Sequence, residues 1–183
     1  MKMNESPVWY VMRFLYNRKS GTRERMERAG IETFVPMHYK VRLVNGRKVR
    51  SYVPVLGDMI FVRSTRAELA PYLASDSYFQ FRYKRGGAQA EPLVVPDKDM
   101  DAFMTALRSS ERPMYFTPAE LNISKGTRIR IHGGPCDGME GVFMKVKGAR
   151  ARRLVVELPN TIAVAVEINP DLIEVLADRP RPE

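Results

Sequence analysis

His38–Tyr52, HYKVRLV-NG-RKVRSY, is the segment that leaves this chain the least conformational freedom. Two strand-like runs flank Asn45-Gly46. A two-residue type I′ turn needs φ > 0 at both central positions, and Asn-Gly meets that need at the least cost. The turn also sets the register. Val44 must pair with Arg47, and counting outward places Tyr39 opposite Tyr52. Lys40, Arg42, Arg47, Lys48 and Arg50 decorate this arm. Five cations on one ribbon are more than an exposed edge needs to stay soluble, although edge protection is the simpler use for them.

The charge distribution sharpens that choice. The 183 residues carry a net charge of +9. Residues 1–60 hold 12 Lys/Arg against 5 Asp/Glu, whereas residues 61–123 hold 8 of each and residues 124–176 hold 8 against 6. A positive field concentrated at one end of a chain favours a polyanionic partner, most often nucleic acid, over a merely solvated face. No apolar run approaches the ~20 residues of a membrane span, and MKMNESPVWY has no apolar core of a secretory signal. One cysteine, Cys136, excludes an internal disulfide framework and fits a reducing, cytoplasmic setting.

Along the chain, Val8–Tyr16 is an aromatic and β-branched strand. Ser20 is placed to cap a short helix that Gly30 closes, with Arg23 and Glu27 at i,i+4 spacing. Ile31–Pro36 and Met59–Val62 read as strands and Arg66–Ala74 as a helix. Tyr78–Tyr83 and Leu93–Val95 read as strands around a Gly86-Gly87 turn. Asp97 opens a helix whose Met100, Phe103, Met104 and Leu107 share one apolar face. Ser109–Ser124, with two prolines, breaks the pattern and reads as a linker. Beyond it, Leu154–Leu158 and Ile162–Ile168 are strands, and Asp178–Glu183 is a proline-containing tail.

Lys125–Val146, KGTRIRIHGGPCDGMEGVFMKV, is the second strong signal. The alternating run Thr127–Ile131 feeds a Gly133-Gly134-Pro135 turn, and Asp137-Gly138 and Gly141 precede the apolar run Val142–Val146. Gly126, Gly134, Pro135, Gly138 and Gly141 resemble the KOW motif of small SH3-like barrels in ribosomal proteins and NusG-type transcription factors. An ordinary hairpin of unrelated function would use the same turn chemistry.

The whole order of elements resembles the NusG family. Trp9-Tyr10-Val11 matches the family's opening strand, the helix ends near Gly30, and a strand leads to Pro36. Leu56-Gly57-Asp58-Met59-Ile60-Phe61-Val62 stands where the family usually has Phe-Pro-Gly-Tyr before an apolar strand; only its Phe61-Val62 end fits. Cys136 stands where the family commonly carries an aromatic. These departures suggest a specialised paralogue, RfaH-like or of the capsule-operon antiterminator type.

The resemblance implies an α+β chain. Residues 7–108 would form an N-terminal α/β sandwich with an antiparallel sheet, 109–123 a linker, and 124–176 an SH3-like KOW barrel. It implies a transcription elongation or antitermination factor. Arg13, Leu15, Leu56, Met59 and Phe61 would dock on the coiled coil of the largest RNA polymerase subunit. Arg18, Lys19, Arg23, Arg25, Arg47, Lys48 and Arg50 would face non-template DNA. The barrel would take a small-subunit ribosomal protein or the termination factor Rho. A ribosome-associated RNA-binding KOW protein is the alternative.

Enzymatic chemistry finds little support. His38 and His132 are the only histidines, and Cys136 with His132 on one turn lacks a third orienting group. Tetrahedral zinc needs about four Cys or His ligands. Asp97, Asp99 and Asp101 resemble a cation cluster, but a helix start favours acids without any metal. No glycine-rich loop precedes Lys-Ser/Thr. The expectation is a protein without catalytic residues, metal or cofactor.

Overall fold

The structure is a computed structural model that describes residues 6–18, 20–84 and 90–177. Lys19, the Gly86-Gly87 turn and the Asp178–Glu183 tail lie outside them. The chain divides into two units, Met1–Pro96 and Asp97–Glu183.

The first unit runs β1 (Val8–Arg13), α1 (Thr22–Arg28), β2 (Glu32–Phe34), β3 (Met37–Val44), β4 (Arg47–Pro54), β5 (Met59–Ser64), α2 (Arg66–Ser75), β6 (Gln80–Phe81) and β7 (Val94–Val95). Its sheet has the order β2-β5-β1-β6, with β7 also pairing β1, and all these pairings are antiparallel. Register follows the apolar pattern. Tyr10 and Met12 of β1 face Val62 and Ile60 of β5 across the ladder. These four pack with Phe14, Met26 of α1, Leu69 of α2 and Phe79 into one buried cluster. Burying each such side chain is worth about 1.5–3 kcal/mol, which explains why two short helices hold their places on the sheet.

Local chemistry starts and stops these helices. In α2, Thr65 accepts from the Glu68 backbone N–H at 3.2 Å while Glu68 accepts from that of Thr65 at 3.1 Å, a complete capping box. In α1 the cap differs from expectation. Gly21, at φ 68°, takes the N-cap position, and Ser20 accepts from the Thr22 N–H at 3.3 Å. The left-handed residue redirects the chain one position later than a serine cap would.

The second unit runs α3 (Asp97–Ser109), β8 (Met114–Phe116), β9 (Thr127–Ile131), β10 (Glu140–Met144), β11 (Arg153–Leu158), β12 (Ile162–Val166) and β13 (Ile173–Val175). Its antiparallel sheet has the order β13-β9-β10-β11-β12-β8. The two ends of that path are not paired with each other among the described residues, so a closed SH3-like barrel is not seen. Met114–Phe116, inside the stretch expected to be linker, adds to the edge of β12 through Phe116↔Ala163, Tyr115↔Val164 and Met114↔Ala165. The helix beginning at Asp97, expected to close the first domain, packs instead against β11 and β12 of the second unit. Its Met100, Phe103 and Ala106 are buried, so the apolar stripe exists but runs through Ala106.

Both faces of β12 are covered, since all five of its residues are buried. Phe116, Val146, Val155, Ala163 and Ala165 form the cluster on one face. Strands buried on both sides read as unbroken β-branched and small apolar runs, as IAVAV does.

Candidate nucleic-acid interface

The β3–β4 hairpin is a two-stranded sheet by itself. Asn45 and Gly46 take φ 51° and 75°, the type I′ values, and Tyr39 pairs with Tyr52. Every residue from Tyr39 to Arg50 is exposed. No Asp or Glu occurs between Thr33 and Asp58. Among the described residues, Lys40, Arg42, Arg47, Lys48 and Arg50 make no ion pair. Their charge is uncompensated and points into solvent.

Alternation divides the hairpin into two faces. Tyr39, Val41 and Leu43 share one with Lys48, Arg50 and Tyr52; Lys40, Arg42 and Val44 share the other with Arg47 and Val49. The Arg50 guanidinium lies 3.7 Å from the Tyr39 ring centroid, and the Tyr39 and Tyr52 centroids are 4.8 Å apart. The cations and the Tyr39–Tyr52 pair were legible in the sequence; the Arg50 guanidinium stacked on Tyr39 is visible only in the structure.

The cations of the helix region stand differently. Arg23 is tied to Glu27 at 2.7 Å. Arg25 donates to Ser75 at 3.0 Å and to Thr22 at 3.4 Å. Arg18 lies 3.9 Å above the Tyr78 ring. These three sit around the α1 N-terminus and the α2–β6 connection, away from the hairpin in sequence, and each has a structural use. Lys19 is outside the described residues.

The hub of that region, which the sequence reading missed, is Asp76. Its buried carboxylate accepts from the Thr22 hydroxyl at 2.8 Å and the Tyr78 N–H at 3.0 Å. Burial pushes its pKa up, but hydrogen bonds from Thr22, Tyr78 and Ser20, with Arg18 nearby, outweigh that and hold it below the usual value. A carboxyl lowered in the folded state contributes stability above its unfolded pKa of about 3.9, lost as pH falls through the folded value. Asp76→Asn is therefore expected to be less stable than wild type at pH 7, by about 1–3 kcal/mol. The two proteins' urea midpoints should converge as pH falls below about 4. Parallel midpoints from pH 7 to pH 3 would remove Asp76 from this role.

The expected docking residues are partly brought together. The N–H groups of Phe14 and Tyr16 donate to the carbonyls of Asp58 and Gly57, at 3.0 and 3.1 Å. This fastens the chain after β1 to the turn before β5 and gathers Arg13, Leu15 and Leu56 at one end of the sheet. Arg82 adds an ion pair to Asp58 at 2.7 Å. Arg13 is exposed, and Leu15 and Leu56 are half-buried. Met59 and Phe61 are a correction: at 2% and 0% exposure they are core residues of β5, which lies between β2 and β1.

The glycines of the KOW-like segment do two separate things. Gly134 and Gly138 adopt φ 70° and 73° in the turn. Gly126 and Gly141 instead sit where a Cβ would collide with Val142 and with Leu154, respectively. The Arg residues beside them are neutralised. Glu140 takes Arg130 at 2.7 Å and Arg128 at 3.4 Å, and Glu174 takes His132 at 2.5 Å. Arg128 and Arg130 are therefore not free cations like those of the hairpin.

Among the described residues no group of three or more His, Cys, Asp or Glu stands where it could hold a metal ion. No helix among them is long and apolar enough to cross a membrane.

No curated protein matches the chain. A solved structure titled "Domain interaction in Thermotoga maritima NusG" is similar to it, with 17% identity over 94% of this chain and 98% of that one, at a TM-score of 0.42. The family profile described as "NusG: Transcription termination factor nusG" matches residues 7–104, from the start of β1 into α3 and more than half of the chain. The chain belongs to the NusG family.

Proposed function

We infer that this protein is a non-enzymatic transcription elongation and antitermination factor of the specialised, operon-restricted type. The family match over residues 7–104 carries the reading. The uncompensated hairpin supports it, because a factor working beside displaced DNA gains from an exposed basic arm. In this reading the first unit docks on the largest-subunit coiled coil of RNA polymerase through Arg13, Leu15 and Leu56. The hairpin lies along non-template DNA. The second unit, as a KOW module, takes a ribosomal protein or Rho. The missing Phe-Pro-Gly-Tyr segment, replaced by Leu56-Gly57-Asp58-Met59, supports the specialised type, since it alters the docking end of the sheet.

The test is in vitro transcription on a template with a strong pause. Full-length protein is expected to shorten the pause several-fold, and Arg47→Ala/Lys48→Ala to weaken that effect, most at low salt and less as salt rises. Unchanged pausing and termination at saturating protein would overturn the reading. Recovery from lysate that depends on ribosomal RNA, with no polymerase retained after nuclease, would move the protein to the ribosome-associated class.

A further inference from the structure

We propose that the Arg50–Tyr39–Tyr52 face of the hairpin is a stacking platform for the bases of an unpaired nucleic-acid strand, which rests on the reading that this protein works beside nucleic acid and names what the hairpin takes from it. The two tyrosines are 60% and 58% exposed, although each is a large ring on a two-stranded sheet. With Val41 and Leu43 on the same face they make a contiguous exposed apolar patch, and such patches mark interaction sites. The guanidinium of Arg50, the Tyr39 ring and the Tyr52 ring form a tilted column of three planar groups, at 3.7 and 4.8 Å with 43° between the rings. Both outer members of that column, Arg50 and Tyr52, are exposed residues. Val41 and Leu43 extend the same face toward the turn, at 60% and 73% exposure, and Lys48 lies opposite Leu43.

Charge decides the class of occupant. An apolar protein segment would match Val41 and Leu43 but would bring five unpaired cations near its own surface. A nucleic-acid strand matches both features: its bases present π-faces to the column and its phosphates meet Lys48 on the same face, within the positive field of Arg42 and Arg47 on the other. Pairing decides between duplex and single strand. A duplex shows only base edges and phosphates, and a face of tyrosine, valine and leucine offers base edges few hydrogen-bond partners. Aromatic side chains flanked by cations suit unpaired bases of any sequence.

The experiment measures binding of full-length protein to three labelled probes by fluorescence anisotropy over a range of salt. The probes are a mixed-sequence single-stranded oligodeoxynucleotide, the matching oligoribonucleotide, and the corresponding DNA duplex. Tyr39→Ala/Tyr52→Ala is expected to weaken single-strand binding about 5- to 100-fold. It should leave duplex binding and the salt slope as in wild type. Tyr39→Phe/Tyr52→Phe should restore single-strand binding, since the ring and not the hydroxyl stacks. Arg47→Ala/Lys48→Ala should instead lower the salt slope by roughly one unit for each phosphate that is no longer neutralised. The ratio between the deoxy and ribo probes identifies which kind of strand is preferred. Wild-type affinity in the alanine pair, or a wild-type protein that prefers duplex, overturns the platform. If the alanine pair is unaffected but the Arg47/Lys48 pair is weakened, the platform falls and the basic-arm reading survives alone. No binding of wild type to any probe overturns both.

Discussion

Phe61→Asp is expected to leave the first unit without a cooperative unfolding transition. Phe61 has no exposed surface, lies opposite Val11 and Phe34 in the ladder, and has the Phe34 ring at 6.1 Å. Removing a buried phenylalanine costs about 3–5 kcal/mol. An unpaired carboxylate in its place costs several kcal/mol more. Domain stabilities are about 5–15 kcal/mol, so the substitution consumes most or all of what holds this unit. Leu56→Asp is the contrasting case. Leu56 is half-buried on the turn held by Tyr16 and Phe14, so its denaturation midpoint should stay near wild type while polymerase binding falls. Denaturation followed by circular dichroism separates the two. A wild-type midpoint for Phe61→Asp would return Phe61 to the docking surface.

That contrast shows where the sequence was readable. Periodicity found β5 and its apolar character, but alternation within four apolar residues, Met59–Val62, says nothing about which face is solvent when both are buried. The hairpin was legible to the residue because Asn45-Gly46 admits one turn type and therefore one register. Helix α3 was legible as a helix from its apolar spacing, yet spacing cannot name the sheet a stripe packs against; the structure puts it on β11 and β12. The supposed linker failed for a related reason. Its prolines, Pro113 and Pro118, flank Met114-Tyr115-Phe116 without interrupting it, and proline is tolerated beside a short edge strand. Asp76 left little signal. Its bond from the Tyr78 N–H is a local Asx turn, but its partner Thr22 is 54 residues away and has no local pattern. The hairpin cations, by contrast, needed only composition, because no acid is near enough in sequence to cancel them.

In the second unit, Gly141→Val is expected to cost far more than Gly138→Ala, although both glycines belong to the same KOW-like segment. Gly138 is in the left-handed region at φ 73° with open space around it. Alanine there meets only backbone strain, about 1–2 kcal/mol. Gly141 lies in β10 opposite Ile129, where a Cβ would fall 2.5 Å from Leu154 Cδ1 and 2.8 Å from the Val155 carbonyl oxygen. The leucine can turn aside; the carbonyl cannot, because Val155 is held in β11 between Val142 of β10 and Ala165 of β12. Any side chain at 141 must therefore push β10 away from β11 in the middle of the six-stranded path. Overpacking typically costs 1–3 kcal/mol, and valine should lie at or above about 3 kcal/mol because backbone must move. Hydrogen exchange gives the readout. Amides of β10 and β11 should lose protection in Gly141→Val while those of β1 and β5 keep theirs. Equal protection in the Gly141→Val and Gly138→Ala proteins would mean that the sheet accommodates the added volume and that the close approach of β10 to β11 is not what this glycine serves.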